Sequence, residues 1–151
     1  MMNHRPQDPE YEERVRACFA RQAFMATLGA RIVSVAPGDV VLELPFRQEL
    51  TQQHGFLHAG VLAALADNAC GFAALSLMPP GAAVMSVEFK INLMAPAAGS
   101  IFTASGRVIR AGRTLTVCSA EVIATNGDQE KVVAVMQATM MSVQGRSGLS
   151  D

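Results

Sequence analysis

The spacing of apolar residues changes several times along this chain, and each change predicts a new element. Residues 11–25 carry apolar side chains at intervals near three or four, which is typical of an amphipathic helix. We expect this helix to begin with Asp8 as its N-cap and to end at Gly29. Between residues 39 and 46 apolar and polar residues alternate, so this segment and residues 30–36 predict a β-hairpin.

The second half of the chain predicts four more strands, joined by tight turns that contain glycine. These strands are expected at residues 84–94, 101–110, 114–125 and 131–143. The first of them alternates strictly, so we expect its apolar residues to face the core and its polar row to face solvent or a cleft. Residues 144–151 are predicted to form a frayed tail.

A long apolar segment from Ala59 to Met78 predicts a helix, and Pro79-Pro80-Gly81 ends it. A surface helix keeps a polar face, whereas this one has almost none, so other structure must surround it. Asp67 at its centre argues against a membrane span. We therefore predict a single α+β domain over residues 1–151, in which six strands curl around the central helix.

Composition and charge exclude several classes of protein. The 151 residues carry a formal net charge of -1, which is unlike the basic stripe of a nucleic-acid-binding protein. The three cysteines lie far apart, so we expect neither a disulfide framework nor a zinc site, and no metal or other cofactor. The first residues are polar and acidic, which predicts no secretory signal and a cytoplasmic protein.

Asp67 is the first candidate for chemistry, because an ionised carboxylate in a buried helix is costly unless it is paired or used. No Lys or Arg lies between Ala63 and Gly71 to form a local ion pair. Asp67 is therefore either a structural residue hydrogen-bonded to backbone amides or a base or nucleophile whose pKa is tuned by burial. Gly71 shares its helix face and leaves room beside it.

The N-terminus of the same helix is the second candidate. At His58-Ala59-Gly60, unpaired backbone N–H groups and the helix dipole favour an oxyanion. Gly60 and Asp67 are seven residues apart, a rise of about 10.5 Å, so one helix does not easily offer both groups to one substrate. Two helices lying antiparallel in a homodimer would bring one chain's N-terminus to the other chain's Asp67.

The segment from Gln52 to Gly60, followed by Leu65-Ala66-Asp67, resembles the hotdog-fold acyl-CoA thioesterases of the PaaI-like group. Their usual pattern is Asn-x-x-Gly-x-x-His-Gly-Gly and then Leu-x-Asp, with matching spacing. The resemblance covers about residues 24–143 and implies a hotdog fold, an antiparallel sheet around one long helix, with flexible ends outside that core. It also implies a homodimer with active sites at the subunit interface, which can pair into a tetramer.

The resemblance implies a role for each matching residue. Asp67 would be the general base or the nucleophile, and the N–H of Ala59, beside Gly60, would form the oxyanion hole. His58 would order that loop, Gln52 would stand where the family has Asn from the neighbouring subunit, and Ser86 would supply a hydroxyl near the reacting centre. Two departures matter here: Ala59 replaces a Gly, and the Gln52 arm is one methylene longer than Asn.

The same resemblance implies an apolar acyl slot and a cationic site for the phosphates of CoA. Phe56, Leu57 and Met94 are the expected lining of the slot. Arg110 and Arg113 are the expected CoA-binding cations, ahead of Arg107 and Lys90, although a charged hairpin turn that aids solubility explains them equally.

Three functions remain open at this stage. The leading hypothesis is hydrolysis of an aryl-acyl or medium-chain acyl-CoA, without contact to nucleic acid or membrane. A hotdog dehydratase or hydratase would need a His beside its acid, and no His follows Asp67. A non-catalytic acyl-CoA sensor would usually add a DNA-binding segment, which this sequence does not show.

Overall fold

The computed structural model describes residues 4–151, so the first three residues of the segment predicted to lack a secretory signal lie outside it. The helices are α1 (Tyr11–Ala20), α2 (Ala23–Leu28) and α3 (Ala59–Leu75), with a short 3-10 helix at Gln48–Leu50. The strands are β1 (Arg31–Ala36), β2 (Asp39–Pro45), β3 (Ala83–Leu93), β4 (Ile101–Ala111), β5 (Leu115–Asn126) and β6 (Gln129–Val143). None of the helices within residues 4–151 has the length and apolar character needed to cross a bilayer.

The six strands form one antiparallel sheet in the order β1-β2-β4-β5-β6-β3, and its inner face packs around α3. Ten of the 17 residues of α3 are buried, which confirms the predicted central helix within an α+β hotdog fold. β3 forms one edge of the sheet, and within residues 4–151 no strand pairs with its outer side. Because β3 follows α3 directly, the edge lies beside the helix that carries Asp67.

The sheet comes closest to α3 at Gly106 of β4. A Cβ atom added at Gly106 would lie 2.3 Å from the carbonyl carbon and oxygen of Ala69. Such a distance is far inside van der Waals contact, so only glycine fits between the strand and the helix backbone.

The predicted N-terminal helix is two helices, separated at Arg21 and Gln22. The N-cap of α1 is Glu10, so the prediction of Asp8 as N-cap is wrong. Asp8 is instead 7% exposed, and its carboxylate accepts hydrogen bonds from the Glu10 N–H and from Arg14, both at 2.9 Å. This ion pair with a residue of α1 holds Asp8 away from the capping position.

Arg14 explains why α3 ends at Leu75, three residues before the predicted end. Its guanidinium donates to the carbonyl oxygens of Leu75 (2.9 Å), Met78 (3.1 Å) and Pro79 (2.9 Å). The Leu75 carbonyl is one that the end of a helix leaves without an intrahelical partner, and those of Met78 and Pro79 belong to the turn that follows. A side chain 61 residues earlier in the chain therefore stabilises the turn after α3.

β3 departs from the predicted strict alternation because its pairing with β6 shifts between Ser86 and Glu88. This bulge puts Ser86 and Phe89 on the same, inner face, opposite the buried Met140 and Ala138 of β6. The predicted separation of the polar and apolar rows therefore holds after the bulge, from Glu88 to Leu93, and is wrong before it, where Ser86 lies on the inner face.

The segment 144–151 was predicted to fray, but its last residue is held against the domain. The Asp151 carboxylate accepts a hydrogen bond from the Val84 N–H at 2.9 Å and lies 3.6 Å from the Arg21 guanidinium. Both partners belong to other elements, so the sequence of the tail itself gives no sign of them.

Candidate active site

Asp67 lies half-buried on α3, and Ser86 of β3 reaches it across the space between helix and sheet. The Ser86 hydroxyl donates to Oδ1 of Asp67 at 2.7 Å. Among residues 4–151, Asp67 accepts no hydrogen bond from a backbone amide, which removes the structural role considered above. Burial raises the pKa of the Asp67 carboxyl, and the hydrogen bond from Ser86 lowers it in part.

A cavity of about 370 Å³ opens beside this pair, and we call it the Asp67 cavity. Besides Asp67 and Ser86, its walls include Asn68, Gly71, Arg21 and Gln22. A Cβ atom added at Gly71 would meet no atom within 4 Å, so the glycine leaves open space one helical turn beyond Asp67. The cavity can therefore admit a substrate group directly beside the carboxylate.

The Ser86 hydrogen bond predicts a pH shift. We expect Ser86→Ala to move the acid limb of kcat/KM to higher pH, because the group that lowers the pKa of Asp67 is lost. The measurement is the pH profile of the reaction that the resemblance implies, thioester hydrolysis, for wild type and variant, with Ser105→Ala on β4 as the control. An acid limb that stays in place in Ser86→Ala would contradict the role of this hydrogen bond.

The N-terminus of α3 is capped by its own His58. The Nδ1 atom of His58 accepts a hydrogen bond from the Gly60 N–H at 2.8 Å, so Nε2 carries the proton of the neutral ring. The N–H of Ala59 has no hydrogen-bond partner among residues 4–151. The Ala59 N–H is therefore a free donor at the start of α3, whereas the Gly60 N–H is already bonded to His58.

The loop before α3 is a tight turn around Gln52. The Gln52 backbone N–H bonds to the Phe56 carbonyl at 2.9 Å, and its side-chain oxygen accepts from the His54 N–H. The Gln52 side-chain amide nitrogen makes no hydrogen bond within residues 4–151 and is left as a donor. Gly55 has φ +85, a left-handed backbone that favours glycine.

A second cavity, of about 300 Å³, lies over this loop, and we call it the Gln52 cavity. Its lining includes Gln52, Phe56, Leu57, Ala59 and Leu93, so it is mainly apolar. Met94 does not line it and is 60% exposed.

The residues predicted to act together thus divide into two groups. Gln52 and Ala59 line one cavity with Leu93, near the end of β3, whereas Asp67 lines the other with Val84 and Ser86, near its start. Ala59 and Asp67 are eight residues apart on α3, or about 12 Å along its axis. Within one chain, the free N–H and the carboxylate serve different cavities.

None of the candidate CoA-binding cations lines either cavity: Arg110 and Arg113 lie around the turn between β4 and β5, Arg107 in β4 and Lys90 in β3. Arg110 and Arg113 are exposed and form no ion pair among residues 4–151. Arg107 is paired with Asp39 at 3.0 Å, and Lys90 donates to Asn92 at 2.8 Å. Across residues 4–151, no three His, Cys, Asp or Glu side chains are grouped to hold a metal ion.

Arg21 and Gln22 were not predicted as site residues, although both line the Asp67 cavity. They occupy the break between α1 and α2, which the apolar periodicity had bridged as one helix. Two polar residues that interrupt an apolar stripe are the signal that marks this position.

Known proteins resemble this chain in sequence and in fold. Residues 54–131 match the family model described as the thioesterase superfamily. A thioesterase family protein from Silicibacter pomeroyi, known from its crystal structure, is 50% identical with a TM-score of 0.88, covering 89% of this chain and 99% of its own. Human acyl-coenzyme A thioesterase 13 is 34% identical over 124 residues, 81% of this chain and 86% of the relative.

The acyl-coenzyme A thioesterase PaaI of Escherichia coli is 26% identical over 134 residues, 88% of this chain and 91% of its own length. The resemblance to the PaaI-like group is therefore confirmed. With the family model covering more than half of the chain, and a relative at 34% identity over most of it, the chain belongs to the thioesterase superfamily as a hotdog-fold thioester hydrolase.

Proposed function

We propose that the protein hydrolyses an acyl-CoA thioester to the free acid and CoA. The observation that carries this proposal is the half-buried Asp67 carboxylate, held by Ser86 at 2.7 Å beside an open cavity. The names of the human and Escherichia coli relatives support acyl-CoA as the substrate class. Aryl-acyl and medium-chain acyl groups are the two classes to compare in the assay.

Asp67 acts in one of two ways, and both need its ionised form. As a general base it takes a proton from water while the water oxygen adds to the thioester carbon, and the proton then passes to the departing CoA sulfur. As a nucleophile its carboxylate adds to the thioester carbon, the C–S bond breaks and CoA leaves as a thiolate that takes a proton from water. A second water then hydrolyses the resulting anhydride, which frees the acid and restores the Asp67 carboxylate. In both routes the carbonyl oxygen becomes an oxyanion that needs a donor such as the Ala59 N–H.

We infer that the donor and the carboxylate come from two subunits. Val87, Phe89 and Leu93 on the free edge strand β3 are between 44% and 53% exposed, an apolar area that favours a partner. Pairing two β3 strands antiparallel about a two-fold axis sets the Ser86 end of one strand beside the Leu93 end of the other. The Asp67 cavity of one subunit then meets the Gln52 cavity of its partner, and such dimers pairing further would give a tetramer.

The remaining expectations complete this proposal. The exposed Arg110 and Arg113, outside both cavities, attract the phosphates of CoA, and Phe56 and Leu57 contact the apolar part of the substrate. His58 keeps the helix end in order through Gly60. All three cysteines are buried and unpaired, which supports a reducing compartment such as the cytoplasm.

Ala59→Pro tests the oxyanion donor, because proline removes the N–H and suits the first position of a helix. His58 before it already has an extended backbone, with φ -64 and ψ 138, as a residue before proline requires. We expect kcat for release of CoA thiol to fall about 10²–10³-fold. Ala59→Gly, which keeps the N–H, is the matched control and should retain activity.

Full activity in a folded Ala59→Pro protein would contradict the oxyanion role. If wild type releases no thiol from a broad panel of aryl-acyl and medium-chain acyl-CoAs, the proposed function itself fails.

Mixing two inactive variants tests the shared site. Consider a dimer of one Ala59→Pro chain and one Asp67→Asn chain. If each site takes its Ala59 N–H and its Asp67 carboxylate from different subunits, one of the two sites keeps both groups intact. Random mixing makes half of the dimers mixed, so about a quarter of wild-type activity should return. Mass spectrometry of the intact assembly verifies mixing, and mixed dimers without activity would mean that each site lies within one chain.

A further inference from the structure

We propose that Arg21 and the backbone N–H of Val84 form a subsite for a negatively charged group on the acyl part of the substrate. The preferred substrate would then be the CoA thioester of an acid that carries a second carboxylate. This inference rests on the proposed hydrolysis at Asp67 and narrows its substrate class.

The first argument is that this position already holds a carboxylate. Oδ2 of Asp151 accepts from the Val84 N–H at 2.9 Å, and Oδ1 lies 3.6 Å from Arg21. The Asp151 side chain lines the Asp67 cavity together with Ser86. A charge-assisted pair of donors, one from a guanidinium and one from backbone, is a common arrangement for carboxylate binding.

The second argument is the polarity of the cavity. Among the described residues that line it, Arg21 is the one cation beside the carboxylates of Asp67 and Asp151, and Gln22 and Asn68 add two amides. An alkyl chain in this space would strip water from these groups without replacing their hydrogen bonds. A substrate carboxylate that takes the place of the Asp151 carboxylate keeps a partner for Arg21 and for the Val84 N–H, while the open space at Gly71 accepts the apolar part of the acyl group.

The third argument is distance. Val84 and Ser86 lie on the same face of β3, two residues apart, which corresponds to about 7 Å. Ser86 contacts the carboxylate of Asp67, so the subsite is a short acyl chain or a single ring away from the reacting carbon. The phosphates of CoA are separated from its sulfur by the whole pantetheine arm, which argues for an anion on the acyl side.

Arg21 reaches this cavity from the end of α1. Arg21 is the C-cap residue of α1, and its backbone N–H bonds to the Cys18 carbonyl at 3.1 Å. Apart from its contacts with Ser150 and Asp151, its guanidinium has no hydrogen bond or ion pair among residues 4–151.

Two matched pairs of substrates test the subsite through kcat/KM for thiol release. Glutaryl-CoA and pentanoyl-CoA differ in a terminal carboxylate, as do 4-carboxybenzoyl-CoA and benzoyl-CoA. We expect wild type to prefer the carboxylated member of at least one pair by tenfold or more, and Arg21→Gln to lose at least about tenfold on that member alone. Arg16→Gln, on the same helix and paired only with Glu12, should behave as wild type.

The other outcomes of these assays also decide whether the anion subsite exists. Hydrolysis without preference for either carboxylated member overturns the subsite but keeps the thioesterase. Equal loss on both members in Arg21→Gln assigns Arg21 to CoA phosphates or to folding, and also overturns it. If no thioester is hydrolysed, the proposed function fails, and a rise of Tm with free glutarate in wild type but not in Arg21→Gln still judges the subsite.

Discussion

Replacing Asp67 with Asn is expected to lower kcat about 10²–10⁴-fold, the range that a general base contributes. Asn keeps the size of the side chain and its contact with Ser86, but it neither accepts a proton nor attacks a thioester. The loss should therefore appear in kcat with every acyl-CoA that wild type hydrolyses. Asp39→Asn, which alters an exposed carboxylate paired with Arg107, is the control and should keep wild-type kcat.

The same Asp67→Asn variant should be more thermally stable than wild type at neutral pH. Burial raises the pKa of Asp67 in the folded state above its unfolded value, so the stability present at low pH is lost as pH rises through the folded pKa. Asn carries no such penalty, because it does not ionise. The difference in Tm should therefore be largest near pH 7 and shrink in acid.

Two observations would contradict this account of Asp67. Wild-type kcat in the folded Asp67→Asn protein would remove Asp67 from the chemistry. A Tm below wild type at pH 7 would mean that the ionised carboxylate stabilises the fold. Together, lower activity and higher stability would mark a residue kept for function at a cost to the folded state.

Most of the fold was predictable because burial sets the spacing of apolar residues. α3 lacks a polar face and the strands alternate, so a sheet around a helix followed from residue types alone. What could not be predicted depends on contacts between distant residues. The end of α3 is set by Arg14, and the faces of β3 are set by a bulge that only the pairing with β6 reveals.

The candidate site was likewise predictable where it depends on local residue types, and not where it depends on contacts between distant residues. Asp67 stood out because a lone carboxylate in an apolar helix needs a reason, and His58-Ala59-Gly60 stood out as a helix start. That the Gly60 N–H is taken by His58, leaving Ala59 free, depends on a side-chain orientation. Arg21 and Asp151 enter the Asp67 cavity from two ends of the chain, and no local pattern connects them.

The close approach of β4 to α3 predicts the largest loss of stability. In Gly106→Ala the new Cβ would lie 2.3 Å from the Ala69 carbonyl group and 2.7 Å from the Cys70 nitrogen. Both neighbours are backbone atoms of a buried helix, so neither can move as a side chain would. We expect the free energy of unfolding to fall by about 3 kcal/mol, at the upper end for overpacked cores.

Gly71→Ala makes the identical chemical change on α3 itself, where the new Cβ meets nothing within 4 Å. There the higher helix propensity of alanine should raise the free energy of unfolding by about 0.5–1 kcal/mol. Urea titration of both variants and wild type gives the comparison, with the m-value as a check on two-state unfolding. If Gly106→Ala fails to accumulate as folded protein while Gly71→Ala folds, the predicted loss of stability at Gly106 is also supported. Equal stabilities for the two variants would mean that the sheet does not press on α3 at Gly106, and the packing that positions Asp67 would need another explanation.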